Sequence, residues 1–248
     1  MVLFQRLFFA VLLAGLISGA AMAALQQWRV APLILAAEVY ENAAPEEPAA
    51  AGDHAHVHAA GTAEHDHGNA EEWAPADGAE RIFFTVAADI FAAFGFAFLL
   101  SAASVLSGFE VTARNGVIWG LAGFAVFQLA PAFGLAPELP GMPAADLIAR
   151  QIWWIGTAVA TATAVFGIAK FQNVAAIGVG VVLILLPHVI GAPQLAGEHE
   201  SGVPAHLATE FAASTLFVGL AFWLMLGPLY GYFVERLARN ASTVAVTA

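Results

Sequence analysis

"RLFFAVLLAGLISGAAMAA", residues 6–24, opens with one arginine and then runs to Ala24 without another charge. Two readings compete for it. The triplet Ala21-Met22-Ala23 suits the cleavage site of a secretory signal, whose apolar core is typically ~7–15 residues. The run here is longer than that and approaches the ~20 apolar residues that cross a hydrocarbon core. A retained membrane helix is therefore expected, and the rest of the chain is read outward from it.

Five more stretches have the same character, over 82–107, 115–135, 151–170, 173–192 and 207–233, against 4–27 for the first. They are long and lack strict alternation, so helices are expected rather than the strands of a closed barrel. Small residues recur inside them, as in "GLAGFA" (120–125) and "GVGVV" (178–182), which lets helix backbones approach closely. Composition agrees: 60% of the 248 residues are hydrophobic and 11% charged, about half the charged fraction of a soluble domain. The expected fold is an all-α integral membrane protein, a bundle of about six transmembrane helices, with five as the alternative count. Residues 1–41 form the first helix and an interfacial extension, "VAPLILAAEVYE" (30–41). Residues 42–80 form a mobile acidic loop, 81–236 helices two to six, and 237–248 a short tail.

The acids are unevenly placed. Eleven lie between Arg29 and Arg81 with no Lys or Arg among them, and the formal net charge is −11. Nothing there neutralises phosphates, so nucleic acid is excluded as a partner; small cations suit a focused negative potential. With no cysteine in the chain, thiolate metal sites, disulfides and cysteine nucleophiles are excluded. No P-loop, His-Glu-x-x-His or nucleophile elbow is present, so no enzyme is expected and any transport must be energised from elsewhere.

An even number of helices puts both termini on one side. Arg6, Arg114, Lys170, Arg236 and Arg239 fall on that side, and Arg29, Arg81 and Arg150 on the other. The bias places the termini in the cytoplasm and the long loop outside. All eight histidines then lie in outward loops or near outer helix ends.

Five of those eight stand in "HAHVHAAGTAEHDHG", residues 54–68. In an extended chain, residues two apart point the same way. His54, His56 and His58 can share an ion, and so can His65 and His67 with Asp66 supplying charge. Imidazole suits zinc, copper, nickel and related ions, and a flexible site of this kind concentrates metal without selecting it. The bland alternative is a low-complexity spacer.

Ionisable groups inside the helices are few, and each is by default a functional candidate. Asp89 lies about two turns into the second helix. His188 follows Pro187, and Glu210 has His206 four residues before it. His188 and Glu210, at similar depth on consecutive helices, are expected to meet across the pair. The bland alternative for Asp89 and Glu210 is pairing with Arg81 or Arg150 at the interface. Gln128 is a further polar residue of the outer half. Gln151, Thr157 and Thr161 are expected in interhelical hydrogen bonds, and Met142 in simple packing.

Four segments, "LQQWRVAPLILAAEVYE" (25–41), "WAPADGAERIFFT" (73–85), "GLAGFAVFQLAPAFGLAPELPGMPAADLIARQIWW" (120–154) and "LPHVIGAPQ" (186–194), together resemble the CbtA family, the probable cobalt transporter subunits of bacteria. The resemblance covers nearly the whole chain in order. It implies cobalt as cargo, no permanently bound cofactor, and a small one-helix, histidine-bearing partner of the CbtB kind. The residues alone reach only divalent-cation handling at the outer face. Two rivals remain: a non-transporting membrane protein that delivers metal to a separate permease, and uptake of nickel or another divalent ion. A membrane enzyme with a buried His and Glu as acid and base is the weakest reading.

Overall fold

The computed structural model describes residues 2–43, 75–76, 78–195 and 201–247. Among them the regular structure is helical: α1 Val2–Arg29, α2 Ala31–Ala43, α3 Ala79–Ser107, α4 Gly116–Phe124, a π-helical turn Ala125–Leu129, α5 Ala130–Ala132, α6 Leu147–Phe171, α7 Val174–Ile190 and α8 Ala205–Thr247. Each of the six apolar stretches lies on helix. Among the described residues, four helices are long and apolar enough to cross a membrane by themselves, over Leu3–Arg29, Ala79–Ser107, Leu147–Phe171 and Ala205–Arg239. Gly116–Ala132 and Val174–Ile190 are shorter apolar helices. At 1.5 Å per residue these two reach about 26 Å, the low end of what spans a bilayer.

Local chemistry explains the breaks. Pro32 brings no N–H to the carbonyl four residues back, so α1 stops at Arg29 and α2 restarts around the Val30 carbonyl, which accepts from Leu33 and Ile34. α3 ends on Gly108, whose φ of 73° suits glycine, and its N–H closes on Ser104 O. The α6–α7 turn is tight because Gln172 adopts a left-handed conformation and Asn173 then caps α7, accepting from Ala176 N at 2.8 Å. Asp146 caps α6 in the same way through Ala149 N.

α1, α3, α4 and α8 form the body, with α1 packed on α3 and α8, and α4 on α8. The α6–α7 hairpin stands beside it, joined through the π turn and α5. Where α4 crosses α8, a Cβ on Gly116 would meet the backbone of Gly227, and one on Gly120 the backbone of Trp223. The core beside this crossing gathers Ala10, Ala14, Ala93, Ala97, Phe222, Trp223 and Leu226. Away from the core the rule of soluble proteins is inverted: Phe91, Leu106, Val174 and Val189 are 72–86% exposed. Such a surface requires an apolar surrounding.

The helices alternate in direction. One end, called upper here, carries Arg29, Arg81, Arg150 and Glu210; the other carries Arg6, Arg114, Lys170 and Glu235. A second apolar cluster caps the upper end, where Val30 and Ala37 meet Leu139, Val203, Leu207 and Phe211.

Candidate functional site in the upper half of the bundle

The approach of α1 to α3 is set by glycine. A Cβ on Gly15 would strike Phe94, and one on Gly19 would strike Ala93 and the backbone at Ile90. With the backbones this close, Gln26 on α1 reaches across to Asp89 on α3, its Nε2 donating to Oδ1 at 3.0 Å. Asp89 is buried, and its second oxygen, Oδ2, has no hydrogen-bond partner within the protein. It stands about 15 Å along α3 from Ala79. A carboxylate so placed is costly without a partner for its charge.

The basic residues of the upper end are engaged elsewhere. Arg81 grips Glu38 of α2 through both η-nitrogens, the Nη1–Oε2 bond being 3.4 Å. Arg150 bonds Glu138 at 2.6 Å. Pairing with Arg81 or Arg150 is thus not what the structure gives Asp89; it gives Gln26. Nor does it give either arginine to Glu210, whose partner is Arg29 at 3.9 Å. That contact is loose and half-exposed, and the same Arg29 nitrogen reaches Ser214 Oγ at 3.5 Å. His206 is exposed at the start of α8, one turn before Glu210.

His188 lies in other company. Its ring stands edge-on to Trp153 at 5.7 Å between centroids and to Phe133 at 6.2 Å. The Trp153 indole N–H donates to the Pro187 carbonyl at 3.1 Å, which fixes this corner of the α6–α7 hairpin. The expected meeting of His188 with Glu210 is not found: the two make no ion pair, and their partners differ. α8 packs on α1 and α4 rather than on α7.

Thr157 departs from expectation too. Its hydroxyl donates to Trp153 O of its own helix at 2.9 Å rather than across helices. Thr161 Oγ1 is buried without a partner. Met142 packs as expected, with its sulfur also accepting from Leu139 N. Among the described residues no three His, Asp or Glu side chains gather into a metal-binding group. His54, His56, His58, His65 and His67 lie outside the described residues.

A second polar place went unread in the sequence. A cavity of about 610 Å³ lies between the π turn, the 133–146 connection, α6 and α8, lined by Gln128, Glu138, Arg150, Gln151, Trp154 and Thr215 among apolar groups. Gln151 thus faces a cavity rather than a neighbouring helix. The signal available was Pro131 three residues after a glutamine in an apolar helix. A π turn accommodates proline by adding a residue to the turn before it, and such turns gather at functional sites.

No curated protein and no solved structure matches the chain significantly. The family model of CbtA, described as the probable cobalt transporter subunit, matches residues 4–235. With that match spanning nearly its whole length, the chain belongs to the CbtA family of probable cobalt transporter subunits.

Proposed function

We propose that this chain takes up a divalent ion, cobalt by its family, from the upper face, which is the periplasmic face of the bacterial inner membrane. Six helices cross the bilayer, both termini are cytoplasmic, and the 42–80 segment lies outside. There His54, His56, His58, His65 and His67 capture the ion and raise its local concentration. It then passes the rim, where His206 and Glu210 stand on one side and His188 on the other, and enters the bundle at Asp89.

Asp89 carries this reading. It is a buried carboxylate with one oxygen held by Gln26 and the other unbonded. Oxygen and imidazole ligands suit a divalent first-row ion, with water completing its shell. Cobalt here is cargo. A small one-helix partner of the CbtB kind completes the assembly on this reading.

One observation favours a second reading, in which the chain binds metal and delivers it to a separate permease. Below Asp89 the core is packed with Ala93, Ala97, Phe222 and Trp223, which offer an ion no ligand. Cobalt accumulation in cells expressing the chain alone decides between them. Transport predicts accumulation that Asp89→Asn abolishes with protein abundance unchanged. Delivery predicts none without a permease, although the purified chain still binds cobalt. The topology has its own test. A reporter active only outside the cytoplasm should work when fused after Gly61 and be silent at Ala248; the reverse would overturn the orientation.

A further inference from the structure

We propose that α2 is a lid over Asp89, latched by the Glu38–Arg81 pair and hinged where the helix breaks at Val30 and Pro32. The proposal rests on the reading of Asp89 as the ion's station in the bundle; the lid itself stands on packing. Asp89 is buried, and its unbonded Oδ2 has no surface open to the outside. An ion from the upper face therefore meets that oxygen only after something above it moves.

What stands above it is α2. Arg81, which bonds Glu38, is eight residues before Asp89 on α3 and so about 12 Å nearer the upper end. Val30, one turn beyond Gln26, begins the crossing. From there Ala37 gathers with Leu207 and Phe211 of α8 and with Leu139 and Val203 of the connecting segments. The far end of α2 reaches the 201–204 turn, where a Cβ on Gly202 would come within 4.0 Å of the Tyr40 carbonyl. One short helix thus ties α1, α3 and α8 together above the buried carboxylate.

Both ends of the lid can yield. At the hinge, Pro32 brings no N–H to the helix, and the Val30 carbonyl accepts from both Leu33 and Ile34; helices bend at such breaks. At the latch, the Arg81 and Glu38 side chains are 36% and 30% exposed. An ion pair that water reaches contributes little and opens readily. The seam below is different: Gly15 and Gly19 set α1 against the backbone and side chains of α3, so it parts only if whole helices move. Lifting α2 uncovers the mouth and leaves that seam intact.

The chain has no cysteine, so single introduced thiols report on the lid. Ser214 is buried on α8, on the face that carries Phe211 and Val218 of the cluster beneath α2, and cysteine there changes little in size. Purified Ser214→Cys in detergent is treated with a charged, water-soluble thiol reagent. Ala205→Cys, exposed at the start of α8, is the control. Labelling of Ser214→Cys should be slow, rise severalfold with Glu38→Gln, and fall again in the swapped pair Glu38→Arg with Arg81→Glu. Equal rates in all three, or none while Ala205→Cys reacts, overturn the lid; a rise that the swapped pair retains overturns the latch. A second measurement holds the lid shut. In Glu38→Cys with Arg81→Cys, a short, reducible bifunctional thiol reagent should lower cobalt accumulation severalfold, and a reductant should restore it. Accumulation untouched by complete cross-linking would show that ions do not pass beneath α2. A parent chain that accumulates no cobalt defeats the transport reading instead, and the labelling series still decides the lid.

Discussion

The α1–α3 crossing and the α4–α8 crossing are both built on glycine, yet they continue upward differently. In the first, Gly15 and Gly19 bring two backbones together, and the same approach carries Gln26 to a buried carboxylate at Asp89. In the second, Gly116 and Gly120 meet Gly227 and Trp223, and the seam above closes on a neutral amide, Gln128 against Gly219. Within lipid, helices gain little from hiding apolar surface from one another, so close van der Waals packing holds them. Small residues therefore belong to every seam and mark none as functional. What distinguishes the first seam is the ionisable group that its geometry buries.

The largest effect should come from breaking the seam that carries no charge. Gly120→Leu forces a side chain onto the Trp223 backbone, which cannot yield without moving α8. Overpacking a well-filled core typically costs ~1–3 kcal/mol and more where backbone is the obstacle. Folded, monodisperse protein after detergent extraction should fall to a small fraction. Gly95→Leu on α3, where a Cβ meets nothing within 4 Å, should leave the yield unchanged. Equal yields from the two variants would show that the α4–α8 contact is not the one holding the bundle.

Less drastic is the removal of the partner that orients the charged seam. Gln26→Ala leaves the Asp89 carboxylate without its hydrogen bond but with its charge. A bond to a charged group contributes about 1.5–3 kcal/mol, so half-saturation for cobalt should rise roughly tenfold or more while the maximal rate survives. Asp89→Asn, which keeps the shape and loses the charge, should abolish uptake altogether. If Gln26→Ala were as complete a loss as Asp89→Asn, the amide itself would be a ligand rather than a positioning group.

The histidines proposed to capture the ion come next. Replacing His54, His56, His58, His65 and His67 together by Ala should weaken uptake at scarce cobalt and spare it at high cobalt. A cluster that only concentrates ions is dispensable once ions are plentiful. Loss at every concentration, with normal abundance, would move the loop from capture into the path itself.

How far the sequence reached can be read from particular residues. Hydropathy located all six helical stretches, because a long apolar run has one stable backbone conformation in lipid. The isolated charge of Asp89 stood out for the same reason. Its partner did not, since which of Gln26, Arg81 or Arg150 reaches a carboxylate depends on how helices cross. Glu38 and Glu138 were invisible as partners: one lies on the short helix α2 and the other in the 133–146 connection, and only the fold brings each to its arginine. The cavity at Gln128 was equally hidden, as a π turn follows from packing around Pro131 and has no periodicity of its own.

The smallest effect tests the rim, and it turns on separation. His188 is wedged between Trp153 and Phe133, where ring contacts account for its position. Glu210 faces Arg29 at 3.9 Å with both side chains 42–50% exposed, and a pair of that kind contributes at most about 1 kcal/mol. Neither residue holds the other in place. If both merely ease an ion's passage at different points of the rim, His188→Ala and Glu210→Gln should each slow uptake a few-fold at limiting cobalt. Independent sites combine in free energy, so the double variant should show the product of the two losses. A pair gripping one ion behaves otherwise: the first substitution removes the site and the second adds nothing. Uptake rates at one limiting concentration, for the parent, both single variants and the double, close the cycle. A double variant no worse than the weaker single would mean that α7 and α8 approach in a transport state, and that the rim closes on the ion as one site.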